Sequence, residues 1–412
     1  MTPTERPHQA VILAGGQGTR LRPLTLARPK HMIEFHGRPF LAYLVEMLRE
    51  QGFRRLLLLL GYLPDCTREY FGDGRQLEVR IQYSVCPVEW ETTRRLAAAA
   101  PLLDPRFLLL YCDNYWPLRF PALWRRWRQC GAPALMTVYD NLDSWTRSNV
   151  ALDERGRIAA YDKTRSRAGL DGVDIGFLLL ERELLTLLPD ENVPLESAFY
   201  PRLIEQGRMA AYVTSHRYYS VGSTERLPLT AEFLARRPAV ILDRDGVLNL
   251  RPAQAEYVRS WDDWKWLPGA REALALLAAS GWRVIVTSNQ AGIARGELSE
   301  EALQNIHQRM RQEAEAAGGR IDAVYHCPHG WEDGCRCRKP APGMLYQAQR
   351  DFPLDLTRTW FLGDDERDAQ AAEAAGCRFG MVSGEQSLLD WTRLLCGGQT
   401  TALEEDGCLS TS

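Results

Sequence analysis

The sequence predicts an α/β protein built of two domains. Short apolar runs that end in an acidic or glycine residue recur along the chain, and segments with helical periodicity separate them. This alternation is typical of a mostly parallel sheet covered by helices. The chain has 412 residues with ordinary apolar and charged fractions, which is enough for two separate hydrophobic cores.

The boundary between the domains is expected where a helical segment, residues 227–237, runs into Pro238 and then directly into an apolar strand. We therefore expect a first domain at residues 1–236 and a second domain at residues 237–395. The remaining residues, 396–412, are rich in Gly, Thr, Ser and acids. That composition favours a flexible tail.

Composition and charge narrow the classes of function. A formal net charge of −3 provides no basic footprint for nucleic acid. The chain has no apolar run long enough to cross a bilayer and no N-terminal signal pattern, so we expect a soluble, cytoplasmic protein without a membrane partner. A homo-oligomer is compatible with this composition. The ten cysteines are scattered except for a cluster within 327–337, which indicates free thiols plus one metal site.

The first domain opens with an apolar strand at residues 9–14 that leads into a glycine-rich turn. Glycines let backbone amides approach a triphosphate closely. Basic residues behind the turn would offset the charge of the transferred and leaving phosphates. The residues concerned are Gly15, Gly16, Gly18, Thr19, Arg20 and Lys30.

This string, together with the strand before it, resembles the signature of the sugar-1-phosphate nucleotidyltransferases, whose domain is Rossmann-like (GT-A-like). The resemblance implies a nucleoside triphosphate and a sugar phosphate as substrates. It also implies a Mg²⁺ ligand at Asp113, which follows the apolar strand 107–112. Lys163 resembles a family lysine near the sugar phosphate, and residues 173–177 resemble the strand on the sugar side.

Two departures from that family pattern concern the same site. Residues 89–94 read Glu-Trp-Glu-Thr-Thr-Arg where the family usually has a glycine-rich loop beside the base and sugar, and bulky side chains hinder close approach to the main chain. Ser220 stands where an aspartate commonly completes the metal site, and a hydroxyl is a poor substitute for an anionic Mg²⁺ ligand. We therefore expect slow nucleotidyl transfer with a raised Mg²⁺ requirement.

The second domain is organised around residues 239–249, an apolar run that ends in Asp243 and Asp245 with Gly246 behind them. Interpreted as a buried parallel strand, the run delivers both carboxylates to the carboxyl edge of a sheet. One carboxylate there can attack phosphorus while the other carries protons, and both can help to hold Mg²⁺. Taken alone, the stretch is also compatible with a strand followed by an ordinary acidic turn.

Three later segments supply the chemistry that the first one needs. Ser288 follows an apolar strand and can donate to a phosphoryl oxygen. Lys339 supplies positive charge for a phosphate, and Asp364 follows a third apolar strand. In this order the motifs resemble those of the haloacid dehalogenase phosphatases, which implies a Rossmannoid domain.

A polar loop between these motifs carries a closed set of soft ligands. Three thiolates and an imidazole at short spacing are the donors of structural zinc, with no open position for catalysis. Scattered buried cysteines are the alternative, but a loop this polar offers little core to bury them. The predicted Zn²⁺ ligands, which would fix the loop before Lys339, are Cys327, His329, Cys335 and Cys337.

The zinc loop, residues 288–296 and the pair Tyr257-Val258 make the domain resemble the D-glycero-D-manno-heptose 1,7-bisphosphate phosphatases, over nearly all of residues 239–385. The histidinol-phosphate phosphatases are the next most similar family. The resemblance implies Asp243 as nucleophile and Asp245 as general acid/base, with Mg²⁺ on Asp243, Asp364 and the Asp245 carbonyl. It implies phosphate and sugar contacts at Ser288, Lys339, Asn289, Gln290, Arg338 and Tyr257.

One departure from this second family is Asp365, which stands where these enzymes usually carry a lysine or arginine that touches the substrate. An acid there is expected to remove a phosphate contact, which leaves the anomer and the exact sugar open.

The two halves suggest consecutive steps. Removal of the 7-phosphate from a heptose 1,7-bisphosphate yields a heptose 1-phosphate, the type of substrate that the first domain is expected to use. We therefore expect a bifunctional enzyme of nucleotide-activated heptose synthesis. One alternative is a phosphatase whose first domain is a degenerate binding or oligomerisation module. Another is a histidinol-phosphate type of phosphatase, which leaves the first domain unexplained.

Overall fold

The structure is a computed structural model that describes residues 6–253 and 256–397. Most of the predicted tail, residues 398–412, therefore lies outside the described residues. The chain divides into two units at residues 235 and 236. Among the described residues, no helix combines the length and apolar character that crossing a bilayer requires.

The first unit contains thirteen strands and six α-helices within its described residues. Its strands are β1 (Gln9–Ala14), β2 (Glu34–Phe35), β3 (Arg38–Pro39), β4 (Arg55–Leu60), β5 (Arg80–Val85), β6 (Arg106–Tyr111), β7 (Asn114–Tyr115), β8 (Ala134–Tyr139), β9 (Val150–Leu152), β10 (Ile158–Tyr161), β11 (Val173–Glu181), β12 (Met209–Thr214) and β13 (Tyr219–Ser220). Its helices are α1 (Phe40–Glu50), α2 (Pro64–Phe71), α3 (Thr92–Ala99), α4 (Phe120–Cys130), α5 (Leu195–Glu205) and α6 (Leu227–Leu234).

A seven-stranded sheet forms the centre of the first unit, in the order β12-β8-β11-β6-β1-β4-β5. The pairs are parallel except those of β11, which runs antiparallel to both β6 and β8. Every residue of β1 and β8 is buried, because helices cover both faces and a strand buried on both sides needs a continuous apolar run. The predicted mostly parallel, helix-covered sheet is confirmed.

The second unit contains five strands and five α-helices within its described residues. The strands are β14 (Ala239–Asp243), β15 (Arg283–Asn289), β16 (Ala323–Cys327), β17 (Trp360–Gly363) and β18 (Arg378–Met381). The helices are α7 (Ala270–Ala279), α8 (Glu300–Ala316), α9 (Gly343–Asp351), α10 (Glu366–Ala375) and α11 (Leu388–Cys396).

The five strands of the second unit form one sheet in the order β16-β15-β14-β17-β18, and all of its pairs are parallel. β14 is the central strand and is buried along its whole length. Alternate residues of β14 face different cores: Val240 and Leu242 pack in one cluster, whereas Ala239 and Ile241 pack in the other. The strand order changes direction next to β14, which is where open α/β sheets place their ligands.

Candidate active sites

The carboxyl edge of the sheet in the second unit gathers the predicted reactive side chains. Asp243 ends β14, Ser288 lies near the end of β15, and Asp364 follows β17. Because β14 pairs in parallel with both neighbours, the three strand ends lie side by side. The structure therefore brings together residues that are far apart in the sequence.

Lys339 reaches this edge from the loop that precedes α9. Its ammonium lies 2.6 Å from Oδ1 of Asp243 and 2.7 Å from Oδ1 of Asp368, and its side chain is only 3% exposed. Asn289 fixes the loop, because it accepts a hydrogen bond from the Lys339 N–H and donates one to the Lys339 carbonyl, each at 3.0 Å. Asn289, which was expected to recognise the sugar, thus positions the lysine backbone.

Burial and neighbouring charges together shift the pKa values of Asp243 and Lys339. Burial raises the pKa of Asp243 to about 7, where Asp368 and Asp245 act in the same direction and Lys339 opposes them. Burial alone would lower the pKa of Lys339, but the carboxylates of Asp243 and Asp368 raise it overall. The ammonium therefore stays protonated in the site, where it can attract a phosphoryl oxygen.

Asp245 is held by donors from four side chains. Nη2 of Arg244 donates to both of its carboxylate oxygens at 2.9 Å, and Asn249 donates at 2.9 Å. Gln290 donates to Oδ2 at 3.1 Å and Ser288 at 3.3 Å. Burial would raise the pKa of Asp245, but the Arg244 charge and these hydrogen bonds lower it overall. Ser288 and Gln290 therefore also orient the second carboxylate.

Three carboxylates at this edge fit a hard divalent cation. Asp243, Asp364 and Asp368 each offer an oxygen, and these oxygens lie within 4.8 Å of one another. Oδ1 of Asp364 is buried and has no hydrogen-bond partner among the described residues. Gly246 makes room for this carboxylate, because its φ is +96° and a Cβ there would lie 1.8 Å from Oδ2 of Asp364. Anionic oxygen ligands around an unsatisfied atom are the environment that Mg²⁺ prefers.

Asp368, the third carboxylate of this group, was not predicted from the sequence. It lies in the first turn of α10, four residues after Asp364, and Asp365 caps that helix. A helix that starts directly behind a strand end turns its first residues towards that edge. The spacing of the two acids was the signal that could have identified Asp368.

One part of a cavity of about 900 Å³ is lined by Asp243, Asp245, Ser288, Lys339 and Asp368. Arg338 and Tyr257, both expected to contact the sugar, also line it. Nη1 of Arg338 donates a hydrogen bond of 3.5 Å to the carbonyl of His329. The ring of Tyr257 packs on Gly292, where an added Cβ would lie 2.9 Å from the ring. The cavity is large enough for a sugar phosphate.

The predicted soft ligands form one cluster. Cys327, His329, Cys335 and Cys337 each offer an atom, and these atoms lie within 4.8 Å of one another. The sulfur of Cys337 lies 3.3 Å from that of Cys327 and 3.6 Å from that of Cys335. A tetrahedral metal with bonds of about 2.3 Å to sulfur needs edges of roughly 3.8 Å, so small movements would seat one ion.

In the first unit, Lys30 and Asp113 meet beside the glycine-rich turn. Nζ of Lys30 lies 2.5 Å from Oδ2 of Asp113. Burial would raise the pKa of Asp113, but the Lys30 ammonium lowers it overall. Gly18 has a φ of +63°, which other residues rarely adopt, and its carbonyl accepts a hydrogen bond from Thr25. The turn therefore has a fixed conformation, whereas Gly16, Thr19 and Arg20 are exposed.

Arg95, which belongs to no motif of the sequence, fills the space beside this turn. It is 3% exposed and donates to the carbonyls of Leu60, Pro87 and Trp90 at 2.7–2.8 Å. An added Cβ at Gly15 would lie 2.4 Å from its guanidinium carbon. The side chain thus anchors the altered loop at residues 89–94 and occupies volume next to the turn, and only the folded structure reveals this.

Ser220 lies close to Asp113. β13 pairs with β7 so that Ser220 is opposite Asn114, and the N–H of Val221 donates to the Asp113 carbonyl at 2.9 Å. The register thus places the serine next to the predicted metal ligand. This region of the first unit contains one carboxylate from Asp113 and a hydroxyl from Ser220.

Lys163 lies in a second polar cluster of the first unit. Its ammonium pairs with Glu196 at 3.0 Å, and its side chain is 56% exposed. Inside the cluster, the second carboxylate oxygen of Glu196 and the hydroxyls of Tyr111 and Tyr200 are buried without hydrogen-bond partners among the described residues. Buried polar atoms without partners are candidates for contacts with a polar ligand.

Two family models match the chain. The model described as nucleotidyl transferase matches residues 9–149, and the model described as HAD-hydrolase-like matches residues 336–393. A putative glucose-1-phosphate thymidylyltransferase from Bacillus anthracis is 18% identical, with a TM-score of 0.50, and the match covers 55% of this chain and 95% of that one. This likeness shows the fold of the first unit. The second unit is of the haloacid dehalogenase class.

Relatives with higher sequence identity indicate the family within the haloacid dehalogenase class to which the second unit belongs. The D-glycero-beta-D-manno-heptose-1,7-bisphosphate 7-phosphatase of Pseudomonas aeruginosa is 44% identical over 142 residues, which are 34% of this chain and 79% of the relative. The crystal structure of the D,D-heptose 1.7-bisphosphate phosphatase from B. bronchiseptica, complexed with magnesium and phosphate, is 41% identical. That match covers 39% of this chain and 87% of the other, with a TM-score of 0.35. Through its second unit, the chain belongs to the heptose-1,7-bisphosphate 7-phosphatase family.

Asp174, a half-buried neighbour of Glu196 and Tyr200 in the second polar cluster, predicts a pH-dependent stability. Burial raises the pKa of Asp174 to about 7, and Glu196 acts in the same direction. Because an unfolded aspartate titrates near about 4, the folded chain binds this proton more tightly. The contribution of Asp174 to stability should therefore be full below about pH 4 and should fall as the pH rises to about 7.

In Asp174→Asn this pH dependence should be weaker, because the amide does not ionise yet keeps an oxygen that can accept from the Gly176 N–H. Thermal unfolding of the full chain at about pH 5 and about pH 8 measures the difference, and the variant should be more stable than the native chain at the higher pH. Asp171→Asn, at an exposed position on the same segment, is the matched control. An identical pH dependence in Asp174→Asn and the native chain would contradict the assignment.

Proposed function

We propose that the chain is a bifunctional enzyme of nucleotide-activated heptose synthesis. The second unit would remove the 7-phosphate of D-glycero-D-manno-heptose 1,7-bisphosphate, and the first would transfer a nucleotidyl group to the resulting heptose 1-phosphate. The contact of Asp243 with the buried Lys339 ammonium, in a unit 44% identical to a 7-phosphatase, is the observation that carries the proposal. We further propose that the protein is cytoplasmic.

Hydrolysis would begin when an oxygen of Asp243 attacks the phosphorus of the 7-phosphate. The pKa of Asp245 is lowered in the free site, so this carboxylate would first take up a proton when the substrate binds. The P–O bond to the sugar then breaks, and Asp245 gives that proton to the leaving sugar oxygen. A water molecule then gives a proton back to Asp245 and attacks the aspartyl-phosphate, which releases inorganic phosphate and restores Asp243. Lys339 holds the phosphoryl oxygens throughout, because its ammonium lies 2.6 Å from the nucleophile.

Mg²⁺ fits the three carboxylates of Asp243, Asp364 and Asp368. When bound, the ion supplies charge neutralisation for the phosphoryl group in transfer. Lys339 contacts two of these three residues, so the lysine and the ligands form one connected charge network.

The four soft ligands, Cys327, His329, Cys335 and Cys337, would hold a structural Zn²⁺. All four come from the protein, which leaves no position for substrate. The cluster ends two residues before Lys339, and Arg338 contacts the His329 carbonyl. The metal would therefore fix the loop that delivers Lys339 to Asp243.

Nucleotidyl transfer in the first unit would use a phosphate oxygen of heptose 1-phosphate to attack the α-phosphorus of a nucleoside triphosphate, with pyrophosphate as leaving group. Lys30 and Asp113 would bind the phosphates and the metal. Mg²⁺ often takes one or two protein carboxylates and completes its shell with water and phosphates, so Asp113 alone can support a weak site. The glycine-rich turn would place backbone N–H groups against the triphosphate.

A second hypothesis is that the chain has only the phosphatase activity and that the first unit is a binding module. Ser220 and Arg95 favour it, because one lacks a metal-binding charge and the other fills space beside Gly15. The test of nucleotidyl transfer below distinguishes the two hypotheses.

Asp243→Asn should lower phosphatase activity by several orders of magnitude, because an amide does not attack phosphorus. Phosphate release from heptose 1,7-bisphosphate with Mg²⁺ measures the loss, and histidinol phosphate serves as the competing substrate. Asp262→Asn, at an exposed position in the same unit, should behave like the native chain. Activity of Asp243→Asn close to the native value would exclude the mechanism, and preferential turnover of histidinol phosphate would exclude the substrate.

The native chain should contain one zinc per molecule when purified without chelator, and Cys335→Ser should contain much less. Elemental analysis gives the zinc content, and thermal unfolding shows the stability that accompanies it. Cys66→Ser, which lies outside the cluster, should retain the metal. Zinc-free native protein at full stability would rule the site out.

Nucleotidyl transfer should be slow in the native chain, should fall to background in Asp113→Ala, and should need less Mg²⁺ in Ser220→Asp because the added carboxylate is a metal ligand. Pyrophosphate release from heptose 1-phosphate with each nucleoside triphosphate is the measurement. If the native chain releases no more pyrophosphate than Asp113→Ala at saturating Mg²⁺, the first unit is a binding module.

A further inference from the structure

The mouth of the cavity in the second unit carries a group of cations that the hydrolytic mechanism does not use. Arg251, in the loop after β14, and Arg367, in the first turn of α10, line the same cavity as Asp243 and Lys339. Both guanidinium groups converge on Asp365. We propose that Arg251 and Arg367, oriented by Asp365, bind the phosphate of the bisphosphate that does not react.

This inference rests on the proposed hydrolysis of a sugar bisphosphate and names the residues that select for the second phosphate. From the sequence alone, an acid at position 365 is expected to remove a phosphate contact. The structure shows instead that this acid pairs with two arginines, one of which, Arg251, also contacts Asp364.

Asp365 fixes both guanidinium groups. Nη2 of Arg251 lies 2.5 Å from its Oδ2. Nε of Arg367 donates to Oδ1 at 2.8 Å, and Nη2 donates to Oδ2 at 3.0 Å. The hydrogen bonds and charges of the two arginines hold the pKa of Asp365 well below its usual range. The carboxylate is therefore a permanent anion that positions two cations.

The arginines retain donors for a ligand. A guanidinium has five N–H donors, and Nη1 of Arg367 and Nε of Arg251 donate no hydrogen bond within the described part of the chain. Their side chains are 48% and 44% exposed. Planar groups with free, exposed donors are well suited to a phosphate dianion.

The position of the pair relative to the nucleophile suits a bisphosphate. Arg251 also donates to Oδ2 of Asp364 at 3.2 Å, and Asp364 is one of the three clustered carboxylates that include Asp243. The arginine pair thus lies one side chain away from the reacting centre. A substrate with one phosphate at Asp243 and Lys339 can therefore extend its second phosphate to Arg251 and Arg367.

A purely structural role is the competing explanation, since the two ion pairs tie the loop after β14 to α10. Such a role would affect every substrate alike. A role in binding the second phosphate would affect bisphosphates more than monophosphates.

The test compares ligands on the full chain loaded with Mg²⁺. The assay follows hydrolysis of the monoester p-nitrophenyl phosphate. Fructose 1,6-bisphosphate and fructose 6-phosphate are compared as competitive inhibitors of this reaction. In a separate measurement, KM is determined for heptose 1,7-bisphosphate. The native chain should bind the bisphosphate at least about tenfold more tightly than the monophosphate, as expected for a charge-assisted pair of contacts.

In Arg251→Gln and in Arg367→Gln this preference should fall at least about fivefold, and KM for heptose 1,7-bisphosphate should rise by more than KM for p-nitrophenyl phosphate. Asp365→Asn should show the same pattern because the arginines lose their orientation, and Asp365→Glu should restore part of it. Arg393→Gln, on the surface of α11 with its partner Asp390, is the control that leaves the preference intact.

A native chain without preference for the bisphosphate, or variants that weaken both ligands equally, would overturn the inference. The inhibition experiment does not require turnover of the bisphosphate. If heptose 1,7-bisphosphate is not hydrolysed while the preference exists and is lost in the variants, the proposed function fails and the second-phosphate site stands.

Discussion

The burial of the Lys339 ammonium between the carboxylates of Asp243 and Asp368 is the constraint on which the second unit depends. A buried charge without partners is very costly, whereas one held by two opposite charges is tolerated. Parallel pairing of β14 with its neighbours, the start of α10 and the hydrogen bonds from Asn289 are all needed to bring these groups together. The sheet around β14, helix α10 and the loop that carries Lys339 thus together position one buried lysine between two carboxylates.

The two units both place a lysine against a carboxylate, but they differ in the polar groups around that pair. In both, a lysine contacts a carboxylate at or just after the end of a central strand: Lys339 with Asp243, and Lys30 with Asp113. The second unit adds two further carboxylates within reach of one cation. In the first unit a serine lies beside Asp113 in the strand register. The number of clustered carboxylates beside the lysine therefore differs between the two units.

The reactive residues at strand ends could be predicted from the sequence because their signal is local. An apolar run followed directly by an acid marks both the strand and the residue at its end. Asp243 and Asp364, and the clustered cysteines, belong to this class. Arg95 and Arg251 do not, because their roles depend on partners brought together by the tertiary fold. Asn289 shows a third case, since its type and place were recognised while its contacts serve the backbone of Lys339.

The paired hydrogen bonds of Asn289 have a consequence for the tolerance of the active site to change. They are made with the N–H and carbonyl of residue 339, groups that every amino acid except proline possesses. These two contacts of the loop therefore do not involve the side chain that it presents. Placement and charge are controlled by different groups here, yet both are needed, because a residue without positive charge at this position would leave the buried carboxylates of Asp243 and Asp368 without their partner.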